Sequence, residues 1–149
     1  AYSTNLPLVG VYTLAVMAQQ ALEQFGANDV YSSIDARMGE IYFAQYHAKD
    51  GLMTLKGEER VFKPELLDAT LIDSNIDAAA VGTGFKSYPD ALTPFNNVTI
   101  QPEVTLPDAQ YMLALVEAQY LAGKGVKASD AQPKYVRDTV TWKKLPGRE

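Results

Sequence analysis

The sequence predicts an α/β domain, a mixed sheet with flanking helices. Three observations carry this. Two apolar strands meet at a tight charged turn within Ser33–Tyr46. Leu14, Met17, Ala18, Ala21, Leu22 and Phe25 recur at helical spacing on one continuous face. Ala78–Gly82 reads as a small-residue strand broken by glycine, with strands and helices interleaved on either side.

Along the chain, Leu6–Val11 is a short apolar run that reads as a buried strand. Thr13 is placed to N-cap the helix that follows, and Gly26 to end it. Val30–Asp35 and Glu40–His47 form the hairpin. Leu52–Leu55 and Glu58–Phe62 extend the antiparallel set beyond a Lys49-Asp50-Gly51 turn. Pro64 suits the first turn of a short helix over Glu65–Ala69. A short helix or loop follows Gly82-Thr83-Gly84, and Val98–Ile100 is a further strand. Asp108 caps a helix running through Ala122, with Ala109, Met112, Leu113, Val116 and Tyr120 as its apolar stripe. From Lys127 onward the chain reads as extended and polar, anchored by Tyr135, Val136 and Trp142.

The 149 residues suffice for one core. The absence of cysteine excludes disulfides, thiolate catalysis and Cys-based zinc sites. No apolar run approaches the ~20 residues of a transmembrane helix. The net charge of −5 is unevenly spread. Residues 124–149 hold seven basic against three acidic residues, +4, which leaves −9 on the rest. The acidic body repels a phosphate backbone. The basic tail either touches RNA or an acidic partner or stays solvated.

Catalytic groups are sparse. His47, the one histidine, stands in a strand and reads as a surface or pairing residue. Side-chain zinc or iron sites usually need two or more His or Cys ligands. No Gly-x-Ser-x-Gly elbow accompanies it, so no catalytic residue and no metal ligand is assigned. What remains is the turn of Asp35, Arg37, Gly39 and Glu40, whose charges must be solvated, paired or used. Arg37 either contacts phosphate or carboxylate, or pairs internally with Glu40 or Asp35. Gly82-Thr83-Gly84 either brings backbone close to a ligand or is a plain strand-to-helix turn. In the tail, Tyr135, Arg137, Trp142, Lys143 and Lys144 combine aromatic and basic groups. They suit RNA stacking, a protein–protein hot spot, or docking of the tail through Tyr135 and Trp142.

Five motifs in order resemble the bacterial TsaB family, also called YeaZ. Asp35-Ala36-Arg37-Met38-Gly39-Glu40-Ile41-Tyr42 resembles its Asp-Ala-Arg-x-x-Glu-Val-Tyr signature, with Ile41 for Val. Leu6–Val11 with Thr13-Leu14, Val81–Gly84, Pro133–Arg137 and Trp142–Gly147 are similar to its other marks.

The resemblance implies one actin-like ATPase (ribonuclease H-like) domain of a two-domain protein. On that basis residues 1–126 are expected to be the C-terminal domain, with 1–5 the end of an upstream helix. Residues 127–149 are an extended basic tail, and the N-terminal domain is absent from this chain. The turn at Asp35, Arg37, Gly39 and Glu40, with Gly82, Thr83 and Gly84, would then line a vestigial nucleotide cleft. Asp35 and Gly39 suit a phosphate-facing turn, and Glu40 does not. This fragment is expected to bind no cofactor, ATP or ADP being left to the full-length protein or complex.

The resemblance further implies a non-catalytic, cytoplasmic partner subunit for tRNA N6-threonylcarbamoyladenosine biosynthesis. Its partners would be a TsaD-like transferase and a TsaE-like ATPase. Contact with tRNA would be only indirect, no membrane is implied, and a homodimer would form through the missing N-terminal domain. The alternatives are an independent ATPase, a glycoprotease-like peptidase or a resuscitation-promoting factor.

Overall fold

The computed structural model describes residues 3–137. Helix α1 (Thr13–Phe25) precedes strands β1 (Asp29–Arg37), β2 (Glu40–Lys49) and β3 (Leu52–Phe62). Strand β4 (Ala78–Val81), helix α2 (Thr83–Ser87), strand β5 (Val98–Ile100) and helix α3 (Met112–Leu121) follow. The five strands form one sheet in the order β3-β2-β1-β4-β5. β1, β2 and β3 are an antiparallel meander, while β4 lies parallel to β1 and β5 parallel to β4. The sheet is mixed, as the sequence predicts.

Alternation along the strands divides the core into two layers. Val30, Tyr46, Ala79 and Val81 face α1 and pack with its Leu14, Met17, Ala18 and Ala21. Tyr31, Ile41, Phe43, Ala78 and Ala80 face the other way, under Phe85 of α2 and Leu67, Ile72 and Leu92 of the loops. Tyr31 and Phe43 stack there with ring centroids 5.9 Å apart, and Phe62 meets Phe43 edge-on at 5.6 Å. Each large apolar side chain so enclosed contributes about 1.5–3 kcal/mol.

One polar side chain ties α1 to the sheet. Gln19 is fully buried. Its Oε1 accepts the Met53 N–H at 2.8 Å, and its Nε2 donates to the Gly51 carbonyl at 3.0 Å. The turn between β2 and β3 is therefore pinned to the helix face.

Several local expectations are corrected. Leu6–Val11 is not a strand: only Leu8 pairs, in a single bridge to Val126, and Leu6 and Leu8 are exposed. Apolarity here marks a surface on which the described residues lay no neighbouring strand. Ser3–Asn5 form a turn. Thr13 does not cap α1; the N-cap is Tyr12, with no side-chain hydrogen bond. Gly26 ends that helix as expected, its N–H reaching back to the Leu22 carbonyl.

The two segments expected beyond the Asp50-Gly51 turn are one strand, kept continuous by a register shift between Phe43 and Gln45 of β2. The helix expected at Glu65–Ala69 is a single 3-10 turn, Pro64–Leu66.

Asp108 does cap, accepting the Gln110 N–H at 2.9 Å, and a 3-10 turn then runs into α3. The apolar stripe expected on this helix lies mostly in solvent: Ala109, Met112, Leu113 and Tyr120 are exposed and Val116 is half-buried. Leu113 is 67% exposed, and Tyr111 and Leu115 make the contact with the core. Tyr120 and Leu121 are exposed as well. Periodicity marks which side of a helix is apolar and leaves open what covers it.

Candidate functional site

The turn joining β1 and β2 carries the charged signature. Arg37 and Glu40 are opposite one another in the ladder, so Met38 and Gly39 are the two central residues. Both have positive φ, 59° and 76°, which defines a type I′ turn. Arg37 itself has φ 64°, at the irregularity between Asp35 and Arg37. Three consecutive residues are thus left-handed and two of them carry side chains. The conformation costs about 1–2 kcal/mol for each non-glycine residue.

Asp35 holds this tip in place. Its Oδ1 accepts the Arg37 N–H at 2.8 Å and its Oδ2 accepts the Ser87 hydroxyl at 3.1 Å. Its own N–H donates to Thr83 Oγ1 at 3.2 Å. Asp35 therefore binds α2 to the end of β1 twice, its backbone N–H at the start of the helix and its carboxylate at the end.

Gly82 and Gly84 complete the joint by close approach. A Cβ on Gly82 would fall 2.0 Å from the Ser33 carbonyl oxygen, and one on Gly84 would fall 2.0 Å from Ser33 Oγ. Gly82 also has φ +103°, which disfavours any side chain, and its N–H is taken by the Val104 carbonyl at 2.7 Å. The glycines seat α2 against β1, with Thr83 between them aimed at Asp35.

The tail reaches the same tip. Arg137 forms an ion pair with Glu40, and its guanidinium lies 5.9 Å from the Tyr42 ring centroid. Its side chain is 14% exposed. Three residues earlier, Lys134 sits 4.7 Å from the Tyr12 ring centroid and 3.3 Å from its hydroxyl. Tyr135, expected to dock the tail, is 75% exposed; the two cations make the contact instead. Trp142, Lys143 and Lys144 lie outside the described residues.

Neither internal pair considered for Arg37 forms: Glu40 is held by Arg137, and Asp35 by Ser87 and backbone. Arg37 is exposed, its guanidinium without an ion-pair partner among the described residues. The structure thus brings Asp35, Arg37, Gly39, Glu40, Gly82, Thr83 and Gly84 together with Arg137 at one end of the sheet.

A groove of about 690 Å³ runs beside this tip, between the α1 N-terminus, Tyr42 and the 132–137 segment. Glu59 lines it and was missed in the sequence. It accepts the hydroxyl of fully buried Tyr46 at 2.9 Å, and burial with this neighbouring carboxylate pushes the Tyr46 phenol far above its usual range. The only signal for Glu59 was a charge in the middle of a strand.

His47 is exposed and pairs with Asp29 at 2.9 Å, as its strand position suggests. Among the described residues no cluster of three or more His, Cys, Asp or Glu could hold a metal. No described helix is long and apolar enough to cross a membrane.

A mixed five-stranded sheet, flanked by helices and bearing a charged hairpin tip locked to a Gly-Thr-Gly turn, defines an α/β domain of the actin-like ATPase type. Two solved structures share it. One is described as an uncharacterized protein from Pseudomonas aeruginosa with similarity to peptidase YEAZ (TM-score 0.82, 34% identity, 91% of this chain and 62% of that one). The other is YeaZ from Pseudomonas aeruginosa (TM-score 0.80, 32% identity, 90% and 61%).

No protein-family profile matches. The tRNA threonylcarbamoyladenosine biosynthesis protein TsaB of Escherichia coli K12 is 39% identical over 150 residues, 100% of this chain and 65% of that protein. Its namesake from Haemophilus influenzae Rd is 37% identical over 158 residues, 100% and 64%. The chain belongs to the TsaB (YeaZ) family. It spans slightly less than two thirds of the length of these curated relatives.

Proposed function

We propose that this chain serves tRNA threonylcarbamoyladenosine biosynthesis as a non-catalytic, cytoplasmic subunit that supports a TsaD-type transferase. The observation that carries this is the match of the whole chain to relatives named for that pathway. The site chemistry agrees in kind. The two carboxylates at the hairpin tip are committed to structural contacts: Asp35 to α2 and Glu40 to the tail. An activator needs a rigid, shaped surface, and Arg37, exposed on a tip pinned from two sides, is the group we assign to partner or phosphate contact. A TsaE-like ATPase joins the assembly, and tRNA is touched only through it. Any nucleotide cleft at Gly82-Thr83-Gly84 is vestigial, since both glycines are filled against Ser33.

The test is nucleoside mass spectrometry of bulk tRNA from cells depleted of the corresponding full-length protein and complemented with wild type or Arg37→Ala. Loss of threonylcarbamoyladenosine on depletion, rescued by wild type and weakly by Arg37→Ala, is expected. A normal nucleoside level on depletion refutes the pathway. Full rescue by Arg37→Ala refutes the assignment of Arg37 alone.

A further inference from the structure

The segment 132–137 lies across the groove beside the hairpin tip in an unusual way. Among the described residues no backbone hydrogen bond joins it to the body. What holds it is a pair of cations three residues apart, Lys134 on the Tyr12 ring and Arg137 between Glu40 and the Tyr42 ring. Glu59 adds a second carboxylate to the groove, and residues 1–123 carry −9. Ring faces and carboxylates set in an acidic body form a receptor for an extended basic segment.

The way the segment is attached matters as much. Pro133 disfavours helical backbone at Gln132, and the chain between the Val126 bridge and Gln132 carries only a turn at Lys127–Asp130. An arm tied, among the described residues, by side chains alone, and reached through a short irregular linker, is of the kind that can exchange between identical copies.

We propose that the Tyr12–Tyr42–Glu40 groove is an exchange site, which takes the Lys134–Arg137 arm of a second copy of this chain in place of its own. The contacts made in trans are the same ones made in cis, so exchange is limited by concentration and not by fit. An arm on a short tether holds its own groove at an effective concentration on the order of millimolar. Two reciprocal exchanges in one dimer offset part of that advantage. Wild-type dimer is therefore expected above about 0.1–1 mM.

The test uses complementary charge reversals, read by sedimentation velocity and native mass spectrometry. Glu40→Arg and Arg137→Glu each abolish the pair in cis, and each chain alone is expected to stay monomeric at every concentration. Their equimolar mixture restores both pairs, but only in trans. It is expected to form a heterodimer at least tenfold more readily than wild type forms its homodimer. A mixture that remains monomeric overturns the proposal.

A dimer that persists unchanged in Glu40→Arg alone also overturns it, because association would then run through another face, such as the exposed apolar side of α3. Far-UV circular dichroism checks that each variant is folded. If either reversal unfolds the chain, Arg137→Gln with a labelled peptide of residues 131–137 replaces it. The peptide is expected to bind Arg137→Gln at least tenfold more tightly than wild type. Equal binding to both removes the groove as the receptor.

Discussion

Substitution of the two glycines flanking Thr83 separates a structural joint from a ligand-binding loop. An alanine Cβ at residue 84 lands 2.0 Å from Ser33 Oγ and 2.8 Å from Ser33 Cβ. Relief needs a shift of more than 1 Å between α2 and β1, and overpacking of this kind costs about 1–3 kcal/mol. At residue 82 the obstacle is the Ser33 carbonyl oxygen, also at 2.0 Å, which no rotamer change can move. The φ of +103° adds backbone strain of about 1–3 kcal/mol. Gly82→Ala is therefore expected to cost about 2–6 kcal/mol against about 1–3 for Gly84→Ala. With a typical domain stability of about 5–15 kcal/mol, the first substitution alone threatens the fold.

The assay is urea denaturation followed by circular dichroism, with Ser33→Gly as the second arm of a double-mutant cycle. Ser33→Gly removes the two nearest atoms that meet residue 84 and leaves the backbone carbon at 3.1 Å, so a favourable coupling of about 1–2 kcal/mol with Gly84→Ala is expected. It leaves the carbonyl in place and should not rescue Gly82→Ala. Gly84→Ala with less than about 0.5 kcal/mol of destabilisation, or no coupling to Ser33, would refute the close-packed joint and return the glycines to a ligand-binding role.

Three further outcomes follow from contacts already described. Gln19→Leu leaves the Met53 N–H and the Gly51 carbonyl without their partner and should cost about 1–3 kcal/mol in the same assay, with faster amide exchange at Met53. Met38→Asn keeps the type I′ turn and replaces a side chain poorly suited to its φ of 59°, so the urea midpoint should rise by the equivalent of about 0.5–1 kcal/mol. Burial raises the phenols of Tyr31 and Tyr46 above the ordinary 10.0. The unfolded chain then releases these protons first as pH rises, so stability is whole below about pH 10 and falls above it. Absorbance titration at 295 nm should show these two phenols, among nine tyrosines, ionising only as the chain unfolds.

Much of this architecture was legible because local signals and burial coincide. The α1 face from Leu14 to Leu22 packs on the sheet, and Phe25, at the end of the helix, is half in solvent. The hairpin was readable because its apolar strands alternate around a charged turn. Two of the errors share one cause: Leu6 and Leu8 before α1, and Met112, Leu113 and Tyr120 on α3, are apolar yet exposed, and the sequence of a segment does not state which neighbour lies against it.

At the site, the three regions singled out by residue type are neighbours in space, as Asp35–Thr83 and Glu40–Arg137 show. Their roles were not readable. Asp35 serves Ser87, 52 positions away, and Glu40 serves Arg137, 97 positions away. Pattern reading at the scale of a turn offers only Arg37 as the internal partner of either carboxylate, because the other partners lie far along the chain.

The sheet order has a consequence for synthesis. Strands β1, β2 and β3 are joined by tight turns and pair with close sequence neighbours, so the meander and α1 can assemble once Phe62 has left the ribosome. Its reverse face, with Tyr31, Ile41 and Phe43, is covered chiefly by residues translated later, among them Leu67, Ile72, Phe85 and Leu92. The β1 edge likewise waits for β4, which pairs Ala79 with Val30. For that interval the nascent chain displays an aromatic sheet face beside an unpaired strand edge, the kind of surface on which chaperones act and from which co-translational aggregates grow.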